Sequence, residues 1–576
     1  MIFALSIGAF ASSPVASAQT TYFSRATGDW DATNTWSTTD FTGAAAGSLP
    51  GSTDFVQIRS DRIVTLTDTR TIATVTIVGA GATGGLDLNG NSLTVTGSVT
   101  INNPTSNNNE AFINVGSGTF SVTGSLTMNG ASGNNSRSAQ LIVGTGTATV
   151  TGGMAFDGTN APRKDIIFQG TGTLSTSDLP SANFTLTTVA GSTIEITGAG
   201  TTTLEPSNNY ANLVVNKSGG ILTTGGGTTI GGNLTITSGT LQLNAATTVD
   251  GATSISGTLD IFNTAGAKTF TGLVTIQPGG TWDNTSNEAV IFQGGLVHNG
   301  TTFNSGTNTQ TFNTNAQVIG GSSIITFSST VTVAGTTVTN ENSNSAGVTI
   351  TGNLTGSGVF EQDVNTMLTL GGTSTATLTA NATGNTVIYN GGGSQTINAT
   401  DYYNLTISNT NGNGATVASD LNVANNVLVT GSDAFLRIGN NNTARIFNIG
   451  GNLSIDANAT MTVNTGSNTT HTVTLAGNLT NDGTLNFASD ANSFATLTIN
   501  GTGTQTLGGS VALTLANVNF NNTANPIQVN VDFNSTGTVA VAANAVVVVA
   551  NGVNIVVTGT VTTAGAITND GTITVQ

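Results

Sequence analysis

The chain has 576 residues, of which 7% are charged and 37% hydrophobic, and its formal net charge is −17. This length exceeds one ordinary globular core, so we expect either several domains or one repetitive structure. A nucleic-acid partner is excluded because that function needs clustered Lys or Arg, and the lack of cysteine excludes disulfides and thiolate metal sites.

The first predicted element is a signal peptide over residues 1–18. Residues 2–10 are apolar, and Ala16-Ser17-Ala18 before Gln19 has the small-x-small form of a cleavage site. We therefore expect a secreted protein that is extracellular or at the cell surface. The first basic residue is Arg25, so the charged start of the signal peptide is missing, and we expect the gene to begin upstream.

Residues 19–70 are predicted to form a small N-terminal β cap module. This segment holds two of the three Trp and four of the eight Arg residues, so its composition differs from the rest of the chain. Tryptophans Trp30 and Trp36 are expected in the buried part of this cap, and Trp282 at a buried corner, although stacking on sugar rings is the alternative.

Residues 71–576 are predicted to form a parallel β-solenoid, which makes the chain all-β. Gly, Thr, Asn and Val disfavour helix, and short apolar-alternating strands are separated by Gly, Asn and Ser turns, as in residues 92–102. Phrases recur as well: residues 210–215 match residues 402–407, and Gln-Thr pairs begin at three positions, Gln310, Gln395 and Gln505. Such self-similarity is typical of units that bury their apolar faces on one another.

The predicted coil has about 20 to 25 residues, which gives on the order of 20 to 25 coils spaced about 4.8 Å apart. The alternative architecture is a string of β-sandwiches of about 100 residues each, which needs linkers. The most apolar later stretch, residues 539–557, is β-branched and interrupted by Asn and Gly. No transmembrane segment is therefore predicted.

The N-terminal part also carries a series of short motifs: Gly28-Asp29-Trp30, Thr35-Trp36-Ser37, Pro50-Gly51, Asp54-Phe55-Val56-Gln57-Ile58 and Val64-Thr65-Leu66. Together with Gly280-Thr281-Trp282-Asp283-Asn284, this series resembles the opening of secreted bacterial β-strand-repeat proteins, which are β-helical, adhesin-like surface proteins. The resemblance implies an exported surface or matrix β-helix that ends in a sorting or anchoring domain. Here the sequence ends at Gln576, directly after a strand, so a truncated gene is one expectation.

Two carboxylate pairs are the candidates for glycosidase or lyase chemistry, namely Glu361 with Asp363 and Asp29 with Asp31. Residues two apart on a strand share a face. However, no Lys or Arg lies between Lys268 and Arg437, so a lyase site around Glu361 would lack its basic partner. We interpret both pairs as solubilising charge or local turn bonding and predict no catalytic residues.

No metal site or cofactor is predicted either. The only histidines, His298 and His471, are far apart and lack nearby ligand patterns, so we expect surface or half-buried polar positions. Residues 84–90 weakly match a calcium-binding nonapeptide, but a single copy favours a β-turn. Thr-x-Thr triplets raise the possibility of an ice- or glycan-facing array, yet their spacing is irregular. These triplets begin at Thr65, Thr74, Thr94 and Thr149.

Three functions remain open after these exclusions. The first is a non-enzymatic structural or adhesive rod or filament subunit, with end-to-end self-association through the final strand at residues 571–575, whose edge has no evident cap. The second is an adhesin that binds a glycan or another surface through unidentified residues. The third is a β-helical polysaccharide lyase or hydrolase.

Overall fold

A computed structural model describes residues 19–130, 136–157, 163–182, 184–205, 208–262, 266–466, 468–490 and 492–576. The predicted signal peptide lies outside the described residues. These residues form an all-β parallel β-solenoid of about 23 turns, which confirms the predicted fold class and coil count. The one helical segment among them is a 3-10 turn at Thr33–Thr35. None of the described residues belongs to a helix long and apolar enough to cross a membrane.

The chain divides into two compact units. The first extends to Asn233 and includes Thr237–Leu241, and the second comprises Leu234–Ile236 and Gln242–Gln576. The strand Leu234–Leu243 therefore supplies residues to both units.

The first unit begins with a small sheet in which Thr21–Ser24 pairs antiparallel with Trp36–Ser37 and parallel with Phe55–Arg59. Phe55–Arg59 in turn pairs parallel with Thr74–Val78. Parallel coil-to-coil pairing thus crosses residue 70, the predicted boundary of the cap module, and the boundary itself stays a prediction.

Three stacks of strands build this unit. One contains Thr21–Ser24, Trp36–Ser37, Phe55–Arg59, Thr74–Val78, Val99–Asn102, Leu126–Asn129 and Met154–Asp157. A second contains Gly28–Asp29, Ile63–Thr65, Gly84–Asp87, Glu110–Gly116, Ser138–Val143, Arg163–Phe168 and Thr185–Thr187. A third contains Arg70–Ile72, Ser92–Val95, Thr119–Val122, Thr147–Val150, Thr173–Thr176, Thr193–Ile196, Thr202–Leu204 and Asn212–Thr224. The short strands Asn209–Tyr210 and Thr228–Ile230 pair with each other.

The second unit contains five groups of parallel strands. The first group is Thr253–Ile255, Thr258–Ile261, Val274–Ile276, Thr281–Asp283, Leu296–His298, Thr302–Asn304, Gln317–Gly321, Thr337–Asn342, Val359–Gln362 and Thr377–Thr379. The second group is Thr247–Val249, Lys268–Phe270, Val290–Phe292, Gln310–Asn313, Val331–Ala334 and Leu354–Thr355. The third is Ile325–Phe327, Val348–Ile350, Met367–Leu370, Thr386–Tyr389, Asn404–Ile407, Val427–Val429, Leu453–Ile455, Leu479–Asn481, Gln505–Gly508, Ile527–Val529, Val546–Val549 and Ala566–Asn569.

The remaining two groups form the other sides of the coils that contain the later strands of the third group. One is Gln395–Thr396, Ala415–Val417, Phe435–Ile438, Thr460–Val463, Thr484–Asn486, Leu513–Leu515, Phe533–Ser535, Asn554–Val557 and Thr572–Val575. The other is Leu421–Val423, Ile446–Ile449, Thr469–Leu475, Ser493–Ile499, Asn517–Phe520, Thr538–Val541 and Thr560–Thr563.

Within a strand, alternate residues point into the coil and out of it. In Val99–Asn102, for example, the Val99 and Ile101 side chains are fully buried, whereas Thr100 and Asn102 are half-buried on the outside. Each buried Val or Ile contributes roughly 1.5–3 kcal/mol relative to exposure. The narrow apolar interior therefore supplies most of the stability, and outward positions are left free to vary.

Coil length varies along the chain while the pairing register is kept. Thr386 pairs with Asn404, 18 residues later, whereas Ala111 pairs with Ala139, 28 residues later. The loops at the corners absorb the difference, so coils of different length place their strands in register.

A buried glutamine holds one corner of the coil that contains Gln395. Its Nε2 donates to the carbonyl oxygens of Leu370 at 2.9 Å and Gly372 at 2.8 Å on the preceding coil. Its Oε1 accepts from the Gly391 N–H at 2.8 Å. Gln395 is only 3% exposed, so each of these hydrogen bonds takes the place of one that its amide would otherwise make to water. We call this arrangement the amide clamp.

Gln505 forms a second amide clamp with the same geometry. Its Nε2 donates to the carbonyl oxygens of Leu475 at 3.1 Å and Gly477 at 2.8 Å, and its Oε1 accepts from the Gly501 N–H at 2.8 Å. Two of the three Gln-Thr pairs therefore mark the same kind of corner, whereas Gln310 donates to the carbonyl oxygens of Glu288, Ser305 and Asn308 instead.

Every lysine of the chain is buried: Lys164 and Lys268 are 0% exposed and Lys217 is 1% exposed. Burial lowers the pKa of all three side chains, and nearby carboxylates partly offset this effect. For Lys268 the carboxylate belongs to Glu288, whose Oε2 lies 3.8 Å from Nζ. As a result, positive charge on the described surface comes from arginine.

Candidate functional site

Four successive coils of the first unit present pairs of outward hydroxyls, which we call the hydroxyl ladder. Each pair flanks a buried residue on one strand, so both hydroxyls point to the same side. The pairing register aligns the four pairs in two columns. The pairs are Ser92 with Thr94, Thr119 with Ser121, Thr147 with Thr149, and Thr173 with Ser175.

The spacing of the hydroxyl ladder follows from the sheet. Neighbouring strands lie about 4.8 Å apart, and residues two apart on one strand are separated by about 6.6 Å. The buried residues between the hydroxyls, such as Leu93 and Phe120, are 0% exposed and fix the orientation of each strand. The result is a regular grid of neutral donors and acceptors.

None of the eight ladder hydroxyls makes a side-chain hydrogen bond within the described part of the chain. An outward column of the second unit behaves differently. There the Asn448 Nδ2 donates to Asn422 Oδ1 at 2.7 Å, and the Thr474 hydroxyl donates to Asn448 Oδ1 at 2.7 Å. The hydroxyls of the ladder are therefore available to an external partner, whereas the side chains of this second column bond to one another.

Sequence analysis identified only part of the ladder. Its Thr-x-Thr triplets included Thr94 and Thr149, but Thr96 and Thr151 of the same triplets lie exposed beyond the strand ends. The true pairs lie two residues earlier and mix Ser with Thr. The sequence signal that would have found these pairs is a Ser or Thr on each side of one apolar residue.

A second candidate is a groove on the strands Phe435–Ile438 and Thr460–Val463. We call it the Arg437 groove. The register places Phe435 beside Thr460 and Arg437 beside Thr462, all on the outer face. Its lining residues are Asn413, Phe435, Arg437, Asn440, Thr462, Val463, Asn464 and Thr465.

Arg437 is held in this groove without a negative partner. Its guanidinium lies over the Phe435 ring, 5.6 Å from the centroid, and its Nη2 donates to the Asn413 carbonyl oxygen at 3.1 Å. Among the described residues, no carboxylate lies within ion-pair distance of Arg437. Arg59 lies over Phe41 in a similar way, 5.7 Å from the centroid, but it is paired with Asp61 at 2.6 Å.

His471 lies behind one wall of the Arg437 groove and is 0% exposed. Its Nδ1 accepts from the Arg445 N–H at 3.1 Å, so Nε2 carries the proton and donates to Asn464 Oδ1 at 2.9 Å. Burial, and to a lesser extent the Arg445 charge, lowers the pKa of His471. The imidazole is therefore a neutral structural group.

His298 is also buried, at 2% exposure, and burial lowers its pKa. The prediction that both histidines occupy surface or half-buried positions is wrong, because each ring packs inside its coil. The two lie on different strands, Leu296–His298 and Thr469–Leu475. The described residues contain no group of three or more potential metal ligands of the His, Cys, Asp and Glu types.

One member of each predicted carboxylate pair, Asp363 or Asp31, is engaged locally. Glu361 is half-buried on the outer face of Val359–Gln362, while Asp363 lies in the following turn, where its Oδ1 accepts from the Val364 N–H at 2.7 Å. In the N-terminal part, Asp31 forms an ion pair with Arg70 and accepts a hydrogen bond from the Thr67 hydroxyl.

All three tryptophans are 0% exposed, as predicted for buried caps and corners. Trp36 Nε1 donates to the Trp30 carbonyl oxygen at 2.7 Å. Trp282 contacts Phe270 and Phe292, with ring centroids 5.3 and 5.6 Å away. These rings stabilise the interior and are not available to stack on a sugar.

Residues 84–90 comprise the strand Gly84–Asp87 and the turn that follows it, so the β-turn interpretation holds for the second half of the segment. Asp87 Oδ1 accepts from the Asn89 N–H at 3.0 Å, and the Asn91 N–H donates to the Leu88 carbonyl oxygen at 2.8 Å. Asn89 and Gly90 both have positive φ, at 48° and 80°, which these two residue types tolerate best.

No protein-family model, no curated protein and no solved structure matches this chain. The resemblance of residues 28–66 to secreted bacterial surface proteins therefore stays a prediction.

Proposed function

We propose that this protein is a non-enzymatic, extracellular structural and adhesive β-solenoid that acts at the bacterial surface or in the surrounding matrix. The observation that carries the proposal is the hydroxyl ladder, a rigid, neutral, in-register grid whose hydroxyls have no partner among the described residues. A glycan or another hydroxylated surface is the ligand that such a grid fits.

The scaffold part of the proposal is supported by how each unit is stabilised. Successive coils pair in parallel and bury one another's apolar columns, so stability grows by stacking without disulfides. Self-association belongs to the same proposal, because an unpaired parallel strand edge accepts another strand. Export through the predicted signal peptide would deliver the protein to the proposed location.

The adhesive part is tested with protein that begins at Gln19 and with crystalline cellulose particles, by measuring the fraction depleted from solution. The double variant Thr147→Val and Thr149→Val removes two ladder hydroxyls while keeping the side-chain shape. We expect several-fold weaker retention and a stability change within about 0.5 kcal/mol. The control is Thr472→Val with Thr474→Val in the second unit, where the Thr474 hydroxyl is already bonded to Asn448. Equal losses in both variants, or none in either, contradict the proposal.

The scaffold part is tested by electron microscopy of the same protein over a range of concentrations. We expect elongated particles that associate as the concentration rises. Separate lobes on a flexible chain would contradict the scaffold part.

The non-enzymatic part is tested by incubating the protein with a panel of neutral and acidic polysaccharides. Turnover of a polysaccharide that disappears in Glu361→Gln or Asp363→Asn overturns this part of the proposal.

A further inference from the structure

We propose that the Arg437 groove binds the carboxylate of an acidic saccharide, such as a uronate unit of a polysaccharide. This inference rests on the proposed surface-binding function and deepens it, because it names one subsite and its ligand class. The hydroxyl ladder offers only neutral groups, whereas this groove offers a cation, an aromatic ring and free amides.

Arg437 carries an isolated positive charge. Beyond Lys268 the sequence contains only two cations, Arg437 and Arg445. Arg437 is half-buried on the outer face, and no described carboxylate neutralises it. A guanidinium presents a planar fork that matches a carboxylate with two parallel hydrogen bonds. One Nη2 bond to the Asn413 carbonyl orients the group and leaves its other N–H donors for a ligand.

The surroundings of the Arg437 guanidinium suit a sugar ring. The half-buried Phe435 ring supports the guanidinium and adds an apolar surface for the C–H face of a sugar. The exposed side-chain amides of Asn413 and Asn440 make no hydrogen bond within the described residues. Amides placed beside a carboxylate site are suited to sugar hydroxyls, because each offers two donors and one acceptor.

One wall of the Arg437 groove is held rigidly. Asn464, which lines the groove, is fixed by His471, and His471 is fixed by the Arg445 backbone. Gly439 passes so close to this ring that a Cβ there would lie 2.5 Å from His471 Cε1, and its φ is +80°. A wall held in this way reduces the entropy lost when a ligand binds.

The experiment uses the protein from Gln19 onward and measures binding of tetragalacturonate by isothermal titration calorimetry. The fully methyl-esterified tetrasaccharide serves as the matched uncharged ligand. We expect binding of the acid and at least about tenfold weaker binding of the ester, since a hydrogen bond to a charged group contributes about 1.5–3 kcal/mol and 1.4 kcal/mol corresponds to tenfold.

Variants assign the effect to the groove. Arg437→Gln should weaken tetragalacturonate binding at least about tenfold, and Phe435→Leu should weaken it to a smaller extent. Arg59→Gln is the matched control, because Arg59 also lies over an aromatic ring but is already paired with Asp61, and it should change nothing. Circular dichroism confirms that each variant keeps its fold.

Three results overturn the inference: no binding of the acid, equal binding of acid and ester, or an unchanged affinity in Arg437→Gln. Displacement of tetragalacturonate by acetate, at an equal concentration of carboxylate groups, also overturns the inference. The groove would then bind any simple carboxylate and would not recognise a saccharide. The outcome is separable from that of the proposed function. Protein that is retained by cellulose through the hydroxyl ladder but ignores tetragalacturonate refutes the acidic subsite alone.

Discussion

The side-chain amide of Asn409 donates a hydrogen bond to Gln395 Oε1 at 2.7 Å, and both residues are buried. Asn409 therefore completes the amide clamp of Gln395. The second clamp has the same completion, because Asn522 Nδ2 donates to Gln505 Oε1 at 3.1 Å. In each case two side chains satisfy the backbone groups of a corner that water cannot reach.

Removing the amide of Gln395 should destabilise the second unit. In Gln395→Leu, the Leu370 and Gly372 carbonyls, the Gly391 N–H and the Asn409 amide each lose a buried partner. We expect a loss of about 3 kcal/mol, because each orphaned group costs roughly 1–3 kcal/mol and local relaxation recovers part of it. Urea unfolding measures the change. Gln528→Leu, at a half-buried outward position, is the control and should stay within about 0.5 kcal/mol.

Stability should fall below neutral pH through His471. The unfolded imidazole takes up a proton near pH 6.5, whereas burial keeps the pKa of the folded one lower. The stabilising effect is therefore complete above about pH 6.5 and is lost as the pH falls through the lowered pKa, by up to about 1.4 kcal/mol per pH unit. Urea midpoints between pH 7.5 and 5 test this, with His471→Gln as the comparison. A pH slope equal in both proteins contradicts the assignment.

Trp282 should be the most costly of the aromatic residues in the second unit to truncate. Its indole contacts Phe270, Phe292 and Phe303. We expect Trp282→Ala to cost about 3–5 kcal/mol because it leaves a cavity. Trp282→Phe should cost clearly less, since the indole Nε1–H has no hydrogen-bond partner in the described structure. Thermal unfolding orders the two variants, and a larger loss in the Phe variant would show that the indole N–H is bonded.

Gly85 should not tolerate a methyl group. A Cβ at this position would lie 1.9 Å from the Phe112 carbonyl oxygen on the next coil, so the coils would have to separate. We expect Gly85→Ala to cost about 1–3 kcal/mol. Gly200→Ala is the control, because nothing lies within 4 Å of its Cβ position. Similar unfolding midpoints for the two variants would contradict the close approach of the coils.

The architecture was predictable from the sequence because its physical cause is local. Alternating segments such as residues 92–102, bounded by Gly, Asn and Ser, specify short half-buried strands, and their repetition specifies stacking. The Gln-Thr pairs are visible in the sequence as repeats, but their role is not, since the clamp bonds of Gln395 reach backbone atoms 23 and 25 residues away.

The functional surfaces were less predictable because they depend on register between coils. The ladder aligns Thr119 with Thr147 and Thr173 across coils of different length, so irregular spacing in the sequence concealed a regular array. In the sequence, Arg437 stands out only as the end of a stretch without Lys or Arg. Its alternation with Phe435 on one outer face was visible, but the absence of a neighbouring carboxylate appears only in three dimensions.

Coils of 18 and of 28 residues both occur in this solenoid, and this has a practical consequence. These two coils differ by ten residues, yet both place their strands in register with the next coil, so corner loops are natural places for grafting. A foreign peptide inserted there would be displayed at a known height on a rigid support, which makes this solenoid a candidate carrier for epitopes or enzymes.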